Sequence, residues 1–195
     1  VNVEGSNSQQ PFVTADGRFL FFSSDRSGGV GGCHLWMAPL QPDGSAGTPQ
    51  HLGAAVNTKA DDQAPFYDAA TKTLVFASKG LPGMGGFDLF TAHGWGGEWE
   101  APQNMGYPVN SSRDDVYFYA RSATSLLQEA WISSDRGSNC CLETYTIEKR
   151  SKYQRLTGQL LNCNGNLPLA GAAVRLTDDK GNQLQTTTDA AGRYQ

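Results

Sequence analysis

Two glycine-rich runs, Gly-Val-Gly-Gly at 29–32 and Gly-Met-Gly-Gly at 83–86, are the parts of this sequence best suited to holding an anion. A glycine loop that cradles phosphate follows one strand and opens a helix, so that backbone N–H groups converge on the ligand. Neither run has that context. Each feeds straight into an apolar, strand-like segment, Leu35-Trp36-Met37 or Asp88-Leu89-Phe90, and the two lie 54 positions apart. Gly31, Gly32, Gly85, Gly86 and Asp88 therefore read as a recurring turn, and no nucleotide or other cofactor is expected. The acidic pairs Asp61-Asp62 and Asp114-Asp115 could serve as paired catalytic carboxylates or as calcium ligands. They recur with the same period, however, and side chains of this type at turns accept hydrogen bonds from backbone amides. His34, His51 and His93 lack zinc-like spacing, no G-x-S-x-G elbow is present, and no nucleophile stands beside a base. No catalytic residue and no metal ligand is assigned. Trp95 and Trp99 share the stretch HGWGGEWEAP. Trp99 is expected in a core, whereas Trp95 has no counterpart in the repeat and is free to contact a sugar, a peptide or a partner.

The elements that must position these residues are short and evenly spaced. Pro11-Phe12 matches Pro65-Phe66, and Leu20-Phe21-Phe22-Ser23-Ser24 matches Leu74-Val75-Phe76-Ala77-Ser78. Downstream, PQHLG at 49–53 matches PQNMG at 102–106, and Val56-Asn57-Thr58 matches Val109-Asn110-Ser111. A third, worn copy returns at Ser133-Ser134-Asp135-Arg136, after Ser23-Ser24-Asp25-Arg26, with Ser138-Asn139-Cys140-Cys141 where the glycines stood. Asp16-Gly17 is a hairpin signal, and Pro49 and Pro102 suit an outer edge strand. Four short strands per repeat, at this period, fit the blades of a β-propeller. Three blades do not close a ring, so further repeats are expected before Val1.

Composition excludes other classes. Glycine is 23 of 195 residues with only 9 prolines, the signature of many tight turns. The net charge is −4 with scattered basic residues, which argues against nucleic-acid binding. No apolar run approaches the roughly 18 residues that cross a bilayer, so no transmembrane segment is expected.

Residues 1–148 resemble the PD40-type, WD40-like propeller repeats of bacterial envelope proteins. The motifs that carry the likeness are PFYDAATKTLVFAS, GMGGFDLF, EWEAPQNMG and YPVNSSRDD in the second copy. The first copy departs where Cys33-His34 replaces the usual apolar-acidic pair. From Tyr153 the texture changes, and residues 153–195 resemble the start of a carboxypeptidase regulatory-like β-sandwich, through Leu156-Thr157-Gly158, PLAGAAVRL at 168–176 and TTDAAGRY at 187–194. That module is not catalytic. The order is similar to OmpA-family envelope proteins, most closely a component of the type IX secretion system. The resemblance implies a non-enzymatic scaffold in the periplasm, associated with the outer membrane. Its partners would be outer-membrane and periplasmic proteins of the same machine, with peptidoglycan bound through an OmpA-type domain absent from this chain. The alternative is a glycan- or peptide-binding module of an envelope receptor.

Four cysteines permit three full pairings, and four buried thiols is the alternative. In the oxidising compartment that the resemblance implies, a bridge from Cys140 or Cys141 to Cys163 is expected. It would close a loop of about 22 residues, worth roughly 3 kcal/mol. A vicinal Cys140–Cys141 bond is the rival, and Cys33 is expected free.

Overall fold

Antiparallel hairpins account for almost all of the regular structure. A computed structural model of the chain describes residues 1–121, 125–149 and 155–195. It is all-β, with no helix among the described residues. The chain divides into two compact units, Val1–Arg150 and Ser151–Gln195. Residues 150–154, which hold the expected domain boundary at position 153, lie outside the described residues.

The first unit holds three sheets in chain order. The first runs β1 (Ser8–Val13), β2 (Phe19–Ser24), β3 (His34–Pro39) and β4 (Gln50–His51), each paired with the next. The second repeats it with β5 (Asp62–Asp68), β6 (Thr73–Ser78), β7 (Asp88–Trp95) and the short β8 (Glu98–Trp99) and β9 (Gln103–Asn104), both on β7. The third has β10 (Asp115–Ala120), β11 (Ala130–Ser134) and β12 (Glu143–Ile147). Gly17 turns β1 into β2 at φ +71°, a conformation open to glycine at little cost. The edge strands β4 and β9 each begin directly after a proline, which has no N–H to offer a ladder.

The first strand of every sheet carries a bulge at the same place, between Gln9 and Phe12, Gln63 and Phe66, and Val116 and Tyr119. One residue in each bulge is left-handed: Gln10 and Ala64 at φ 53° and Tyr117 at φ 55°. These first strands also meet each other. Gln10 Nε2 donates to the Tyr117 hydroxyl at 3.1 Å, the Ala64 N–H donates to Gln10 Oε1 at 3.0 Å, and Gln9 Nε2 donates to Gln63 Oε1 at 3.4 Å. The three sheets thus meet through their first strands, next to the bulges.

The cores lie between consecutive sheets. Phe21, Leu35, Leu52 and Val56 pack on Tyr67, Leu74, Phe76 and Phe90, while Val75 and Leu89 pack on Val116, Phe118 and Ile132. Each fully buried Leu or Phe contributes roughly 1.5–3 kcal/mol, so the sheets stabilise one another and not only themselves.

In the second unit β13 (Gly158–Gln159) pairs with β16 (Arg193–Tyr194), and β14 (Ala173–Thr177) pairs with β15 (Gln183–Thr187). Asp178 shapes the turn of the second hairpin by accepting from the Lys180 and Asn182 N–H groups. Leu176 and Leu184, cross-strand partners, remain exposed.

Candidate functional site

The glycine runs are seats for the next repeat. A Cβ on Gly31 would collide with the Lys59 carbonyl, and one on Gly85 with the backbone of Ser112 and Arg113. On Gly32 and Gly86 it would strike the carboxylates of Asp61 and Asp114. Those carboxylates are occupied: Asp61 Oδ1 accepts from the Cys33 N–H and Asp114 Oδ1 from the Phe87 N–H, both at 2.8 Å. Within the second run, Asp88 accepts from the Met84 and Gly85 N–H groups. The other member of each acidic pair turns inward on its own loop. Asp62 accepts from the Thr58 N–H and Asp115 from the Ser111 N–H.

Asparagine completes the seat. Asn57 accepts from the Leu35 N–H at 2.7 Å and donates to the Leu35 carbonyl at 3.0 Å, so one amide imitates a strand partner for β3. Asn110 does the same to Leu89 on β7, at 2.8 and 2.9 Å. Both amides are buried, where an unpartnered backbone group is costly. The Val-Asn pairs at 56–57 and 109–110 thus act as a hydrophobic plug and a polar clamp.

Charge inside these seats is handled differently from repeat to repeat. The Arg136 guanidinium pairs with the fully buried Asp115 carboxylate and also donates to the Val109 and Pro108 carbonyls. Arg26, at the matching place in the first repeat, donates to Ser8 Oγ and the Val1 carbonyl. The second repeat has Gly80 there, and Asp62 Oδ1 is left buried with no partner. Burial accordingly pushes the Asp62 carboxyl above its usual range, against opposing hydrogen bonds from Ser78 and Thr58. His34 stands where the second repeat has Asp88. Its Nδ1 lies 2.8 Å from His51 Nε2, a contact the histidine spacing does not foretell. Burial, then the neighbouring His34, lowers the His51 imidazole, which favours its neutral form. Among the described residues no three His, Cys, Asp or Glu side chains gather as a metal site.

The cysteines correct one expectation. Cys140 is bonded to its neighbour Cys141, and Cys163 is an exposed free thiol, so the bridge to the second unit does not form. The local turn is the reason: Ser138 Oγ accepts from the N–H groups of both Cys140 and Cys141, and this folds the pair back on itself. Cys33 is also free, half-buried, and its thiol is raised by burial first and then by Asp25 and Asp61. A thiol in that setting is a poor nucleophile.

Trp95 sits in an aromatic cluster that bridges two repeats. Its ring meets Phe19 edge-on at 4.7 Å and Tyr67 at 5.1 Å, with Phe21 at 6.0 Å, yet 37% of the residue stays exposed. The cluster walls a cleft of about 400 Å³ that is rimmed by the β1–β2 turn (Thr14, Asp16, Arg18) and the β5–β6 turn (Ala69, Lys72). Trp99 contacts Tyr67 at 6.2 Å and is packed against the core. Sequence reasoning singled out Trp95 but missed Arg18 and Lys72. The available signal was that both cations fill the same turn position, two residues before Leu20 and Leu74. A larger cleft, about 810 Å³, lies in the second unit beside Thr187, Asp189 and Arg193. It is polar and open, and Asp189 Oδ1 is already used by the Ala191 and Arg193 N–H groups.

Comparison with family models and with curated proteins finds no match to this chain. No helix among the described residues is long and apolar enough to cross a membrane.

Proposed function

We propose that the chain is a non-enzymatic scaffold segment of a cell-envelope machine, specifically of the type IX secretion system. In this reading residues 1–148 are PD40-type blades of a β-propeller, and residues 153–195 begin a carboxypeptidase regulatory-like β-sandwich. The protein works in the periplasm at the outer membrane, and a downstream OmpA-type domain ties it to peptidoglycan. One observation carries the non-enzymatic part: the residues best suited to chemistry are spent on holding one repeat to the next. The glycine runs seat a neighbouring turn, and Asp61 and Asp114 bind the backbone of the preceding repeat. The convergence of the three bulged first strands supports the propeller reading, because blades meet at their innermost strands. The sequence resemblance supplies the compartment and the machine.

A second reading, a glycan- or peptide-binding propeller module, is favoured by the aromatic cleft at Trp95. It is compatible with the first, since a scaffold also needs a docking surface.

The test uses the tagged full-length protein in its own cells. Co-purification with outer-membrane secretion proteins and with peptidoglycan sacculi, together with failed export on gene deletion, is the expected outcome. Recovery in the cytosol, or unimpaired export in the deletion strain, overturns the proposal.

A further inference from the structure

We infer that the cleft between the β1–β2 and β5–β6 turns binds an acidic peptide segment of a partner protein. An aspartate or glutamate would sit between Arg18 and Lys72, with a neighbouring hydrophobic side chain against Trp95, Phe19 and Tyr67. The inference rests on the docking reading above and names the chemistry of the partner.

Three features of the cleft argue for it. The first is unspent positive charge. Neither the Arg18 guanidinium nor the Lys72 ammonium has a hydrogen bond or ion pair with any described residue. Arg18 lies over the Phe19 ring at 5.8 Å, and its charge also acts on the nearby Asp16 carboxylate, an exposed and solvent-screened interaction that leaves both cations open to a ligand. The second is that most side-chain acceptors in the lining are engaged within their own loops. Asp16 Oδ1 accepts from the Thr14 hydroxyl at 2.6 Å and from the Arg18 N–H at 3.1 Å. The Thr14 hydroxyl also accepts from the Phe19 N–H, and the Tyr67 hydroxyl donates to the Gly94 carbonyl. Hydrogen bonds from the Thr14 hydroxyl and the Arg18 N–H also hold the Asp16 carboxyl below its usual range, so it stays ionised and turned to its own loop. A neutral sugar needs several free acceptors for its hydroxyls, and beyond Asp16 Oδ2 this lining offers chiefly cations and ring faces. The third is the wall. Three aromatic rings from two repeats border a space of about 400 Å³, room for one or two side chains of an extended segment and within the size range of ligand sites. Charge at the rim and aromatic anchors inside is the arrangement that concentrates binding energy at protein interfaces.

The test is fluorescence anisotropy with the purified chain. The probes are a fluorescein-labelled array of seven-residue peptides alternating Asp or Glu with Leu or Phe. A matched array carries Asn or Gln in place of the acids, and labelled oligogalacturonate represents an acidic glycan. Members of the acidic array are expected to bind and the neutral array to bind at least about tenfold more weakly, since each lost charge-assisted contact removes affinity. Affinity should fall with added salt. The Arg18→Gln/Lys72→Gln pair, on exposed side chains without a hydrogen bond or ion pair to the fold, should weaken the acidic probes about tenfold while shifting the thermal midpoint little. Trp95→Ala should weaken them further. Absence of any acidic binder, equal binding of the neutral array, tighter binding of oligogalacturonate, or indifference to the double substitution each overturns the inference. Because the assay needs no cell, its failure is separable from failure of the secretion-system reading.

Discussion

Removing the Arg136 side chain is the sharpest probe of how one repeat holds the next. Asp115 is fully buried, and its carboxylate meets the guanidinium of Arg136, whose own side chain is 22% exposed. The same guanidinium serves the Val109 and Pro108 carbonyls and lies over the Tyr145 ring at 5.2 Å. Arg136→Ala leaves a carboxylate in the interior with no cation. Breaking a buried pair from one side costs about 3–5 kcal/mol, and the partial exposure of Arg136 places this case near 3 kcal/mol. All four tryptophans (Trp36, Trp95, Trp99 and Trp131) lie in the first unit, so urea unfolding followed by tryptophan fluorescence reports on that unit alone. In an Asp115→Asn background the same Arg136→Ala change should cost only about 1 kcal/mol, because no charge is stranded. A loss below about 1 kcal/mol in the native background, or an equal loss in both, would refute the reasoning.

Asp62 supplies the contrasting case. Its carboxyl is raised by burial and lacks the arginine, so the folded state binds its proton more readily than the unfolded chain does, whose value is near 3.8. The folded state is therefore penalised as pH climbs from that value through the raised one, and stays penalised above it. Asp62→Asn should raise the thermal midpoint at pH 7, with the advantage over native protein shrinking toward pH 4; a constant difference across that range would count against burial as the cause. Asn110→Ala should cost about 1–3 kcal/mol, since it strands the buried N–H of Leu89, while the Leu89 carbonyl keeps the Met105 N–H. Hydrogen exchange at the Leu89 amide checks this directly, with faster exchange expected and unchanged protection contradicting the clamp.

Much of this arrangement was legible in the residues. Strand positions followed from apolar bursts such as Phe19–Phe22 between turn residues, and the period followed from the recurring Gly-Gly and Val-Asn pairs. Turn glycines could be told from phosphate loops because each run leads into a strand. What the sequence did not disclose is what each recurring residue touches. Asn57 and Asn110 stood out only as recurring residues, yet they hydrogen-bond strands more than twenty positions earlier. Long-range partners leave no local mark, and only a difference between repeats betrays them. Gly80 standing where Arg26 and Arg136 stand is such a difference, and Asp62 is its consequence. The cysteines misled for the opposite reason. Chain-entropy reasoning favoured the long loop to Cys163, whereas the Ser138 turn settles the pairing within a few residues. The cleft at Trp95 stayed hidden because its cations come from turns 54 positions apart.

The most direct test of the scaffold account places a photocrosslinking benzoylphenylalanine at Lys72 of the full-length protein and irradiates living cells. The account predicts covalent adducts to one or a few envelope proteins, absent when the same group is placed at Asp43, an exposed turn residue away from the cleft. Adducts that are equally abundant from both positions, or none to any envelope protein, would contradict it.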